Sequence, residues 1–116
     1  MVVKDIHMDL SQKHCVSCES GGQRLSPEEA IEMHLRYTPQ WQVIENSTKI
    51  SREFKFKNFK QALAFVNKVG EIAESEGHHP DIYFGWGYAK IHLQTHSIGG
   101  LHENDFIVAS KIDKLA

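Results

Sequence analysis

Two rhythms of apolar residues run along this chain of 116 residues, one repeating every three to four positions and one every second position. The first marks a helix with one buried face, the second a half-buried strand. Ser26-Pro27-Glu28-Glu29 combines a capping serine, a proline at the first helical position and a glutamate placed to reach back to the cap. With Ile31 and Leu35 as its apolar stripe, this stretch predicts a short helix ending at about Tyr37, because Thr38-Pro39 stops it. Trp41–Ile44 and Ile50–Phe56 are rich in β-branched and aromatic residues, and the turn chemistry of Glu45-Asn46-Ser47 between them predicts a hairpin.

Asn58 and Gln61 form a second capping pair, and Phe59, Ala62, Val66, Val69 and Ala73 recur at helical spacing. The longest helix is expected here, ending near Gly77. Ile82–Tyr88 and Ala89–His96 read as a second pair of strands, with Gly85 and Gly87 near the bend or at a bulge. In the latter strand Ala89, Ile91, Leu93 and Thr95 share one face, while Lys90, His92, Gln94 and His96 share the other. Finally, Leu101 and Phe106 flank a capping His102 like a hydrophobic staple, Asp105 stands at the third helical position, and Val108, Ile112 and Leu115 continue the stripe.

The order α-β-β-α-β-β-α excludes a parallel doubly wound sheet and predicts an α+β fold, a four-stranded antiparallel sheet with helices packed on one face. Residues 1–23 are irregular, end in Ser20-Gly21-Gly22 and read as an N-terminal arm; residues 24–116 form the single domain. Hydrophobic residues at 41% are enough for one modest core. A net charge of -2 and a pI near 6.4 leave no electrostatic footprint for a phosphate backbone, so no nucleic-acid partner is expected.

No apolar run approaches bilayer length, and Lys4, Asp5, His7 and Asp9 interrupt the stretch a signal peptide would need. The expectation is a cytoplasmic protein with no membrane partner. Cys15 and Cys18 are too few for a disulfide framework and are expected to remain thiols. Histidine is the unusual residue, with 8 copies, most of them in the second half.

The densest set of functional groups is Glu74-Ser75-Glu76-Gly77-His78-His79-Pro80, where a helix ends, two imidazoles follow and proline fixes the exit. His96 and Asp105 come later, at a strand end and in a helix's first turn, and element ends are where side chains can converge on a cleft without disturbing a core. Imidazole has an ordinary pKa near 6.5, so both its forms are accessible at neutral pH, as acid–base work requires. Alone, His-His-Pro is a weak signal, since a histidine pair at a helix end commonly serves as a cap or a solvated turn.

Together, Glu74, His78-His79-Pro80, Trp86, His96 and Asp105 resemble the signature of the pterin-4a-carbinolamine dehydratase family in order and spacing. The similarity runs from about Arg24 to Leu115 and includes the stretch from Lys55 to Phe59 and the Thr95-His96 pair. It implies dehydration of 4a-hydroxytetrahydropterin to quinonoid dihydropterin, the step that recycles the pterin cofactor of aromatic amino acid hydroxylases. It further implies catalytic roles for His78, His79 and His96, supporting roles for Glu74 and Asp105, and substrate-binding positions at Pro80, Thr95 and Trp86. No cofactor or metal is implied, the pterin being substrate, and the partners are a second copy or three (homodimer or homotetramer) and functionally a hydroxylase. Gly77 and His102 depart from residues common in relatives, which puts local tuning of the imidazoles in question.

Other readings stand beside this one. His78, His79, His96 and Asp105 also suit zinc, although adjacent histidines rarely reach one ion, and Cys15-x-x-Cys18 beside His14 is half of a zinc knuckle. A pterin-binding accessory protein without turnover would keep the same fold. Asp105 could serve the helix dipole alone, Trp86 fits packing better than pterin stacking, and His92 is explained by a solvated strand face.

Overall fold

Local capping organises the helices in a computed structural model that describes residues 9–16 and 23–116. The Ser26 hydroxyl accepts from the Glu29 amide while the Glu29 carboxylate accepts from the Ser26 amide, and α1 follows over Pro27–Tyr37. Residues Gln42–Ile44 (β1) and Lys49–Lys55 (β2) form the first hairpin. Its loop is tight: Glu45, Asn46 and Ser47 all take positive φ, at 52°, 58° and 65°. Asn58 caps α2, Phe59–Glu76, by accepting from the Gln61 amide; the Gln61 side chain reaches one residue further back than a capping box requires, to the Lys57 amide.

The second hairpin pairs β3, Asp81–Gly85, with β4, Tyr88–Leu93, through a two-residue turn at Trp86-Gly87. Both strands are shorter than the sequence pattern predicts. Gly87, at φ 86° and with the Phe56 amide bonded to its carbonyl, breaks the run before Tyr88, and β4 gives way after Leu93 to a 3-10 turn, His96–Ile98. The last helix, α3, spans Glu103–Asp113 behind the expected N-cap at His102, and Asp105 at the third helical position accepts from the His102 amide. Leu101 and Phe106, the residues of the predicted staple, are both fully buried.

The sheet has order β1-β2-β4-β3 and is antiparallel throughout, so the fold is α+β with its helices against one face. Ala89, Ile91, Leu93 and Thr95 are buried as their alternation requires, together with Ile50 and Phe54 of β2. Phe65 and Val69 of α2 and Phe106, Ile107, Val108 and Ile112 of α3 close the core over them. Arg52 also faces inward; it pairs with Asp113 at 2.6 Å, lies over the Phe54 ring, and shares the carboxylate with the Trp41 indole N–H.

The expected buried face of α1 needs correction. In α1 the inward residues are Ala30, Met33 and Tyr37, while Ile31 and Leu35 stay exposed. Both sets have helical spacing, and the small Ala30 lets that side approach the core more closely. The described part of the N-terminal arm is packed: Leu10 is buried in the core cluster within a 3-10 turn at Leu10–Gln12 that lies against α3. Cys18 and Ser20-Gly21-Gly22 lie outside the described residues. No helix among the described residues is long and apolar enough to cross a membrane.

Candidate active site

Helix α2 stops because Gly77 takes the left-handed conformation, φ 65°, returning its N–H to the Ala73 carbonyl. That conformation favours glycine, which accounts for the departure noted at this position. The chain then turns so that His78 meets the first turn of α3. Its Nε2 lies 2.6 Å from Oδ1 of Asp105, a fully buried carboxylate whose other oxygen accepts from the Thr95 hydroxyl at 2.8 Å and the His102 amide at 3.0 Å. One side chain therefore caps a helix, anchors the end of the β4 segment and holds an imidazole. A buried carboxylate bonded to Nε2–H fixes the tautomer and leaves Nδ1 for proton exchange.

His79 is held differently, with Nε2 2.6 Å from Oε2 of Glu74 in a pair whose members are both exposed. His96 opens the 3-10 turn after β4. His78, His79, Thr95 and His96 together line one cleft of about 510 Å³, within the range of about 300 to 1,000 Å³ usual for small-molecule sites. Asp105 and Glu74 stand behind the two histidines as their hydrogen-bond partners. Pro80 directs the chain from His79 into β3 and does not line the cleft, and Trp86 sits at the far end of β4 from Thr95, 72% exposed. Trp86 is thus neither the packing residue expected nor part of this cleft.

Cys15, Val16, Glu76 and Asn104 also line the cleft, and the sequence pattern did not place them there. Their signals are slight. Glu76 is an acid two residues before His78, and Asn104 is an amide next to Asp105. The Cys15 thiol is pushed up to about 12, first by burial and then by the Glu76 carboxylate, and its Sγ lies 3.6 Å from the Asn104 carbonyl. A thiol held protonated is a poor metal ligand or nucleophile. Among the described residues no three His, Cys, Asp or Glu side chains are grouped to hold a metal ion. His92 lies on the outer sheet face, its pKa lowered by burial and by Lys49 and Lys90.

Comparison with known proteins adds three kinds of finding. A family model described as pterin 4 alpha carbinolamine dehydratase matches residues 23–115. Two bacterial relatives, each named "Putative pterin-4-alpha-carbinolamine dehydratase", are similar along nearly their whole length. The one from Methylococcus capsulatus is 52% identical over 92% of this chain and 93% of its own, and the one from Halorhodospira halophila 50% identical over 93% and 98%. The crystal structure of a transcriptional coactivator/pterin dehydratase from Brucella melitensis superimposes with a TM-score of 0.75 at 34% identity, covering 81% of this chain and 99% of that one. A pterin dehydratase-like protein described as a RuBisCO assembly factor in the alpha-carboxysome gives a TM-score of 0.58 at 27% identity, covering 66% and 89%.

Proposed function

The chain belongs to the pterin 4 alpha carbinolamine dehydratase family, and from that premise we propose that its cleft converts 4a-hydroxytetrahydropterin to quinonoid dihydropterin and water by histidine acid–base catalysis. In this reaction the C4a–O bond breaks, the oxygen leaves as water after gaining a proton, N5 loses its proton, and the N5=C4a double bond forms. One acid and one base suffice, and no net proton is consumed, since the base takes from N5 as many protons as the acid gives to the oxygen.

The observation that carries the reading is the 2.6 Å contact of His78 with the buried Asp105, in a cleft that His79 and His96 also line. In this scheme His79 and His96 exchange protons with the 4a oxygen and N5, while His78, held by Asp105, binds or assists. Glu74 orients the His79 ring through the 2.6 Å hydrogen bond to its Nε2. The reaction would recycle the pterin of an aromatic amino acid hydroxylase, and the chain would work as a homodimer or homotetramer.

Replacing His78, His79 and His96 singly with alanine and following turnover of both C4a epimers tests the scheme. Loss of a proton-transfer group should slow turnover by about 10²- to 10⁴-fold. Unchanged turnover in the His96→Ala variant would remove that residue from the chemistry, and unchanged turnover in all three would reject the mechanism.

A second reading has one observation in its favour, the likeness to the protein described as a RuBisCO assembly factor. On that reading the cleft binds a pterin, or a partner, without turnover. Pterin binding with dehydration no faster than the spontaneous rate would select it.

A further inference from the structure

The segment from Lys13 to Val16 is held by more bonds than a passive arm needs. Glu76, with 5% of its side chain exposed, accepts from the Cys15 amide at 2.8 Å, bonds the His14 ring at 3.0 Å and has the Lys111 ammonium at 3.4 Å. Asn104, buried in the first turn of α3, accepts from the Val16 amide at 3.1 Å and donates to the Val16 carbonyl at 2.6 Å. That double bond reproduces, with a side-chain amide, the exchange between facing residues of an antiparallel ladder. Lys13 adds an ion pair with Glu103 at 2.6 Å, and the buried Leu10 fixes the segment upstream.

The clamps and the cleft share their supports. Glu76 stands two positions before His78 and Asn104 one before Asp105, so the segment is anchored to the same helix ends that bring those two together. Val16 lines the cleft, and although its backbone is bonded on both sides it remains 63% exposed. An apolar side chain on a fixed backbone gains from being covered and loses little further freedom when a ligand covers it.

We propose that Lys13 to Val16 forms a wall of the substrate cleft, with Val16 a specificity-determining residue that packs against the bound pterin or its C6 substituent. Asn104 and Glu76 are the positioning residues that hold this wall. The inference rests on reading the cleft as a pterin site, and it gives the arm a part in choosing the substrate.

The test compares Val16→Gly and Val16→Phe with the wild-type full chain on two 4a-hydroxytetrahydropterins, one carrying methyl and one dihydroxypropyl at C6. The ratio of their kcat/KM values should shift by about fivefold in opposite directions for the two variants, less than the roughly 10- to 200-fold that a fully enclosed methylene commands. The change should fall on KM. Asn104→Ala, which releases the Val16 backbone, should raise KM for both substrates by about tenfold with a smaller change in kcat. A purely structural role would instead lower the amount of folded enzyme and leave KM alone. A ratio unchanged within about twofold in both Val16 variants overturns the proposal.

Calorimetric binding of a stable dihydropterin separates this failure from failure of the enzyme reading. Wild-type protein that binds without turnover, with affinity altered in the Val16 variants, upholds the wall and rejects the dehydratase. Wild-type protein that neither binds nor turns over removes both.

Discussion

Asp105→Asn is the substitution that tests the site and the fold together. The carboxylate is fully buried and receives three donors, the His78 ring at 2.6 Å, the Thr95 hydroxyl at 2.8 Å and the His102 amide at 3.0 Å. Asparagine keeps the volume but replaces one acceptor oxygen by an amide that can only donate. If the amide faces His102 and Thr95, the hydroxyl can rotate to accept but the backbone N–H is stranded. If it faces His78, the ring must give up its Nε2–H tautomer. The first arrangement strands a buried donor, a loss of about 1 to 3 kcal/mol, and both replace a charge-assisted bond worth about 1.5 to 3 kcal/mol. Urea unfolding should therefore show about 2 to 4 kcal/mol less stability, with the variant still folded at room temperature. Turnover measured on the folded fraction should fall by about 10²-fold, because His78 is no longer held in one tautomer and orientation. His102→Ala is the control: it removes the side-chain cap on the Asn104 amide, costs about 1 kcal/mol and leaves the Asp105–His78 contact in place. Wild-type kcat in Asp105→Asn, alongside the expected loss of stability, would strip the carboxylate of its part in the chemistry and leave Asp105 a helix cap alone.

Three further outcomes follow from the packing and the charges. Trp41→Ala empties a buried indole site and removes the N–H donor to Asp113, so chemical denaturation should report about 3 to 5 kcal/mol of destabilisation. Cys15, its thiol pushed up to about 12, should resist iodoacetamide at pH 8 in the native protein and react once unfolded, as peptide mapping of that residue would show; fast native alkylation would contradict its burial. Burial works to raise the Glu76 carboxyl, yet the Cys15 amide, His14 and Lys111 outweigh it and hold the carboxyl below its ordinary 4.5. A folded pKa below the unfolded one contributes stability that is complete above about 4.5 and is lost as pH falls through the lowered value. Glu76→Gln should therefore flatten that acid limb of the stability profile, and an unchanged limb would show that the carboxylate is not held as described.

What is legible in the sequence is what depends on near neighbours. The caps at Ser26 and His102 are bonds across three residues, and the alternation of Ala89 to Thr95 is a property of one strand, so residue order alone reveals both. The choice between Ile31 with Leu35 and Ala30 with Met33 as the buried face of α1 is not legible in this way, because it depends on how closely the helix can approach the sheet. The histidines and Asp105 are recognisable as residue types at element ends, but the sharing of one carboxylate among Thr95, His102 and His78 is tertiary geometry. Least legible is the clamped arm. Its bonds join residues 61 and 88 positions apart, and no periodicity in the irregular first stretch points to them.

Imidazoles from the end of α2 and the turn after β4 line one cleft, and the proposed function has them dehydrate a pterin carbinolamine there. Stopped-flow absorbance of 4a-hydroxytetrahydropterin, generated in the presence and absence of the purified protein, decides whether they do. Its decay should accelerate in proportion to protein concentration and end in quinonoid dihydropterin. Decay at the spontaneous rate, whatever the protein concentration, would contradict the proposed function.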